Sequence, residues 1–125
     1  MVTHFLTIFQ AKMLLDLNNN MKNISPKELH RKIVEKDDFQ LIDIREAHEI
    51  EICTIGGTAI PMGEILTRHE LINKNIPVVI YCRTGRRALS VIDALERHYS
   101  FSNLHNLEGG IVAYSQQVDS SLETY

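Results

Sequence analysis

The run Cys82-Arg83-Thr84-Gly85-Arg86-Arg87 sets one nucleophilic sulfur at the head of three guanidinium groups and a glycine. A thiol attacks as its thiolate, and nearby positive charge favours that form. Glycine allows backbone angles that a side chain would forbid, so the loop can curl and aim several amides at one point. The expected chemistry is nucleophilic attack by an ionised Cys82, with an anion held in the same cradle. The plainer reading is a small buried cysteine at a strand end. Arginines at 83, 86 and 87 argue against it, because a core cysteine has no use for charges that are costly to bury.

The flanking residues must position that loop. Pro77 through Tyr81 is a short apolar run rich in β-branched residues, which predicts a buried strand ending at Cys82. Ala88, Val91, Ile92, Leu95 and Tyr99 recur at helical spacing after it. Strand, tight basic loop and helix therefore follow in that order. A helix start adds unpaired N–H groups and a partial positive charge to the arginines.

A chain of 125 residues supports one domain with a real core. The formal net charge of −3 gives no indication of nucleic-acid binding, so the basic loop is a local site on a mildly acidic body. Two cysteines, Cys53 and Cys82, are too few for a disulfide scaffold and suit a reducing, cytoplasmic setting. No stretch approaches membrane-spanning length, and Met1 to Leu15 lacks the basic leader of a secretory signal. Six scattered histidines show no metal-ligand spacing, and no P-loop or Ser/His/Asp signature is present, so neither metal nor cofactor is expected.

Elsewhere, strands and helices alternate. Phe5, Leu6, Ile8, Phe9, Met13 and Leu14 are placed to line one helix face before Asn18-Asn19-Asn20; the alternatives are a disordered tail or sequence upstream of a start at Met21. Lys22 to Ile24 reads as a short edge strand. Ser25-Pro26-Lys27-Glu28 is a helix start, with Leu29, Ile33 and Val34 expected on the core face and Asp37-Asp38 at the end. Phe39 to Ile44 reads as a strand ending near Asp43, a carboxylate placed either to fix a loop or to sit solvated in a turn. Arg45 to Glu51 suits a short helix with Arg45 and Glu49 four apart and able to pair. Cys53 is a packing residue or a resolving thiol for Cys82. Met62 to Ile72 reads as a helix, Asn103 to Leu107 as a last strand, Ile111 to Tyr114 as a helix start, and Val118 to Tyr125 as a tail able to dock. The class is α/β with a mainly parallel sheet, whose ligands bind beyond the carboxyl ends of the strands.

Four pieces in order resemble the single-domain rhodaneses. They are Leu41-Ile42-Asp43-Ile44-Arg45-Glu46 with Glu49, Ile55-Gly56-Gly57 through Ile60-Pro61, Ile80 through Arg87, and Leu107-Glu108-Gly109-Gly110-Ile111-Val112-Ala113-Tyr114. The resemblance runs from Lys22 to Tyr125, implying a rhodanese-like domain over 22–125 and an extension over 1–21. Ile60-Pro61-Met62-Gly63-Glu64-Ile65 and Val118-Asp119-Ser120-Ser121-Leu122 look most like rhodanese domains appended to sulfur-carrier-activating enzymes. Thr54 stands where many members have histidine, Tyr114 where many have tryptophan, and Ala47 where proline is common.

The resemblance implies a sulfurtransferase in which Cys82 carries a sulfane sulfur as a persulfide. Amides from Arg83 through Thr84, Gly85 and Arg86 to Arg87 would cradle it, and Arg83, Arg86 and Arg87 would attract an anionic donor such as thiosulfate. Asp43, Arg45 and Glu49 would be structural supports. The implied acceptors are a thiol, cyanide or a sulfur-carrier protein. Two rivals share the loop's logic: a non-catalytic module of the same fold, and a cysteine-loop phosphatase or arsenate reductase. The loop here is one residue shorter than the common pattern of those phosphatases, a tighter cradle suited to one sulfur atom.

Overall fold

The computed structural model describes Thr7 and residues 22–125; the reading of Met1 to Asn20 as a helix or tail lies outside the described residues. Five strands, β1 (Asn23–Ile24), β2 (Gln40–Asp43), β3 (Thr58–Ala59), β4 (Val78–Tyr81) and β5 (Leu104–Leu107), form one sheet in the order β1-β5-β4-β2-β3. Every neighbouring pair is parallel. Among the described residues, five α-helices connect or flank them: α1 (Pro26–Val34), α2 (Ala47–Ile52), α3 (Met62–Ile65), α4 (Arg86–Tyr99) and α5 (Gly110–Gln117).

The central strand shows why the sheet is covered on both faces. All four residues of β4 are buried. Side chains alternate along a strand, so Val78, Ile80 and Cys82 enter one core while Val79 and Tyr81 enter the other. The first core also takes Ala88, Val91, Ile92 and Leu95, the predicted apolar face of α4. The second takes Leu29 from α1 and Ile111 and Tyr114 from α5. The register sets Asp43 beside Tyr81 and Ile80 beside Asn106, so the C-terminal ends of β2, β4 and β5 lie at one edge. The Cys82 loop leaves the sheet there.

Local signals account for much of this. The Ser25 hydroxyl accepts from the Glu28 N–H at 3.1 Å, with Pro26 in the first turn of α1. That helix ends earlier than Asp37-Asp38: Lys36 takes a left-handed φ of 54°, which closes it after Val34. Only Leu29 of its expected core residues is buried, and Val34 is 63% exposed; the helix packs chiefly against α5. The continuous helix expected from Met62 to Ile72 is α3 followed by a 3₁₀ turn, His69–Leu71. Gly63 and Thr67 are weak helix formers, and the two short pieces suffice to bury Ile65 and Ile72.

Candidate active site

Cys82 occupies the first position after β4, and Gly85 caps α4 with a φ of 101°. The Gly85 N–H donates to the Cys82 Sγ at 3.1 Å. By position, the N–H groups of the first turn of α4 have no intrahelical acceptor, and the helix's positive end faces the same loop. Cys82 itself is only 1% exposed.

The loop backbone is held from behind by α5. The Ile111 N–H donates to the Cys82 carbonyl at 3.0 Å, and the Val112 N–H to the Arg83 carbonyl at 3.1 Å. In a trans peptide the N–H points opposite its C=O, so the Arg83 and Thr84 amides are directed away from α5. Close packing makes this possible. A Cβ on Gly110, whose φ is 62°, would run into the Arg83 carbonyl carbon and oxygen and lie 2.6 Å from the Cys82 oxygen. Gly85 abuts the buried amide of Asn106, whose Nδ2 donates to the Asn23 Oδ1 at 3.1 Å.

The three loop arginines differ. Arg87 grips Glu49 with two parallel bonds, Nη1 to Oε1 at 2.7 Å and Nη2 to Oε2 at 2.8 Å. Arg83 directs its Nε to the Tyr125 backbone oxygen and lies 5.2 Å from the centre of the Tyr125 ring. Arg86 is exposed and, among the described residues, makes no hydrogen bond or ion pair. Thr84 is exposed at the rim.

Asp43, Arg45 and Glu49 form one buried network beneath this loop. Arg45 precedes α2 instead of lying on it, so the expected pairing of Arg45 with the Glu49 carboxylate does not occur. The Arg45 guanidinium folds back onto Asp43, Nε to Oδ1 at 3.0 Å and Nη2 to Oδ2 at 2.8 Å. It also reaches the Cys53 carbonyl at 2.8 Å, and the Glu49 backbone carbonyl at 3.3 Å. Burial works against the Arg45 charge, but Asp43 and the Tyr125 hydroxyl outweigh it and hold the group above its ordinary range. Glu49 is left for Arg87. Its carboxylate also accepts from the Glu46 N–H at 3.0 Å and the Tyr125 hydroxyl at 2.6 Å. These donors, Arg87 foremost, hold Glu49 down at about 2 against the opposing effect of burial.

Tyr81, the last residue of β4, donates its hydroxyl to the Gly56 carbonyl at 2.8 Å, tying the strand end to the Gly56-Gly57 turn. Burial pushes that phenol up to about 12. Cys53 packs in the second core with Tyr81 and Leu107, whereas Cys82 belongs to the first. Sequence reasoning assigned no role to Tyr125 or Asn106, and named Gly110 only as part of the fourth resembling segment. Only the Gly109-Gly110 pair carried a signal, two glycines closing on a helix start. Among the described residues, no three His, Cys, Asp or Glu side chains converge as metal ligands would, and no helix is long and apolar enough to cross a membrane.

A family profile described as rhodanese-like domain matches residues 25–117. The rhodanese-like/PpiC domain-containing protein 12, chloroplastic, of Arabidopsis thaliana is 36% identical over 113 residues, covering 84% of this chain and 38% of that protein. The adenylyltransferase and sulfurtransferase MOCS3 of Drosophila sechellia is 30% identical over 112 residues, 83% of this chain and 24% of its own length. The chain thus spans well under half of these curated relatives. Among solved structures, the rhodanese-like domain protein from Staphylococcus aureus superposes with a TM-score of 0.69 at 31% identity, covering 84% of this chain and 99% of that one. With a five-stranded parallel sheet, a cysteine loop at the end of its central strand and a family match running through both, the chain belongs to the rhodanese-like domain family.

Proposed function

We propose that this chain is a sulfurtransferase that moves a sulfane sulfur from thiosulfate or a persulfide donor to a thiol acceptor through Cys82. One observation carries the reading: the Gly85 N–H aimed at the Cys82 Sγ from 3.1 Å, at the start of the 14-residue helix α4. An amide fixed on the sulfur stabilises negative charge there before and after transfer. The Cys82 thiolate attacks the outer sulfur of thiosulfate. The new S–S bond forms as the old one breaks, the bonding pair leaves with sulfite, and Cys82 carries the negative persulfide. An acceptor thiolate then attacks the outer sulfur and takes it, returning the electron pair and the charge to Cys82. Two easier displacements replace one harder transfer. With cyanide as acceptor the product is thiocyanate.

Intact-mass measurement after thiosulfate treatment tests the reading. Native protein should gain the mass of one sulfur atom, and Cys82→Ala none. No gain in the native chain, or a gain that survives Cys82→Ala, overturns it. The burial of Cys82 favours a second reading, a binding module of the same fold. A persulfide that forms but passes to no acceptor thiol would select that reading. The relatives named as sulfurtransferases support the choice of chemistry. The positive charge of the loop supports an anionic donor, the thiol acceptor is proposed from the family resemblance, and the cytoplasm is proposed as the setting because both cysteines are free.

A further inference from the structure

Of the three guanidinium groups beside Cys82, Arg87 is neutralised by Glu49, Arg86 has no partner among the described residues, and Arg83 is occupied by the segment Val118–Tyr125. That segment is held at two points. Val118 and Leu122 pack on the second core, and the Ser115 hydroxyl donates to the Leu122 carbonyl at 3.1 Å. Glu123 and Thr124 are exposed, and Tyr125 then turns back onto the site. Its hydroxyl accepts from Arg45 Nη1 at 3.0 Å and donates to Glu49 Oε2 at 2.6 Å. Its backbone oxygen takes the Arg83 Nε–H, and its ring lies 5.2 Å from the Arg83 guanidinium carbon. A guanidinium grips an oxyanion through paired N–H groups. With Nε committed, the fork on that side of Arg83 is closed to an anion.

Resting on the sulfur-transfer reading, we infer that Tyr125 is a specificity-determining residue for the donor. Docked on Arg83, it withholds one of the two loop cations that Glu49 leaves uncompensated. A dianionic donor such as thiosulfate is penalised by that loss. A persulfide borne on a thiol, which presents less charge at the reacting sulfur, is penalised less. Tyr125 thereby biases Cys82 toward persulfide donors.

The test is thiosulfate affinity measured by titration calorimetry in a Cys82→Ala background, where no sulfur can be transferred. Adding Tyr125→Ala should tighten thiosulfate binding about tenfold, equivalent to about 1.4 kcal/mol. Adding Arg83→Gln to that variant should abolish the gain. Tyr125→Leu, which like the alanine variant keeps the backbone oxygen and loses ring and hydroxyl, retains apolar bulk over Arg83 and should tighten binding only about threefold, equivalent to about 0.7 kcal/mol; it serves if the alanine variant does not fold. In the Cys82-intact chain, the ratio of kcat/KM for thiosulfate to that for an uncharged alkyl persulfide should rise with Tyr125→Ala. Unchanged affinity in a folded variant, or a gain that persists without Arg83, overturns the inference. Failure of the sulfur-transfer reading would appear separately, as no sulfur mass on the native chain.

Discussion

Gly110→Ala probes the contact on which the geometry of the loop depends. Two penalties meet at that position. The φ of 62° is one that residues with a Cβ adopt at a cost of about 1–2 kcal/mol. The added methyl also runs into the Arg83 carbonyl group and lies 2.6 Å from the Cys82 oxygen. Those atoms are backbone and cannot swing aside, so α5 and the loop must separate. Separation weakens the Ile111-to-Cys82 and Val112-to-Arg83 hydrogen bonds, worth about 1 kcal/mol each. The expected loss is about 3–4 kcal/mol. Two other glycines divide this sum. Gly56 has a φ of 101° and open space within 4 Å of where a methyl would sit, so Gly56→Ala should show the strain alone, about 1–3 kcal/mol. Gly63 has neither feature and lies in α3, so Gly63→Ala should be neutral or gain up to about 1 kcal/mol. Urea denaturation of the three variants gives the stability arm. Sulfur loading followed by intact mass gives the functional arm, where a shift of the Gly85 amide by about 1 Å should slow loading about 100-fold. Gly110→Ala unfolding no earlier than Gly56→Ala, while loading at the native rate, would refute the claim that α5 positions the loop.

Glu49 should make the fold sensitive to acid. Its carboxyl titrates at about 2 in the folded chain against an ordinary 4.5, so the stability it lends is complete above 4.5 and is lost as pH falls toward 2. The amount is on the order of 3 kcal/mol. Urea midpoints between pH 5 and pH 2 should fall less steeply for Glu49→Gln than for the native chain, and equal slopes would contradict the assignment. Asp43→Asn strands the fully buried Arg45 charge and should cost about 3–5 kcal/mol, much of it recovered in Asp43→Asn/Arg45→Met. A loss of less than about 1 kcal/mol in the single variant would show that the other partners of Arg45 suffice. Cys53→Ala should cost about 1–2 kcal/mol of packing and leave sulfur loading and transfer unchanged. Loss of transfer alone would restore Cys53 as a resolving thiol.

What could be read before any coordinates followed from short-range rules. The continuous apolar run of β4, the helical spacing of Ala88, Val91, Ile92 and Leu95, and the Ser25 cap depend on neighbours within a few residues, and the structure agrees with each. The placing of Cys82 at a strand end before a glycine-capped helix is legible for the same reason. The supports of the site were only half legible. Asp43, Arg45 and Glu49 could be named, but their pairing could not. Spacing suggested Arg45 with Glu49, whereas the fold pairs Arg45 with Asp43 and brings Glu49 to Arg87, 38 residues away.

The order of strands and helices, the cysteine loop and its local positive charge are therefore properties of the chain itself. Which arginine is neutralised, and which is covered by Tyr125, was decided only when α2, α4 and the segment after α5 came together. The cause is electrostatic and steric. A partly buried guanidinium finds its acceptors wherever packing delivers them, and one-dimensional spacing carries no information about contacts made across 38 or 42 residues.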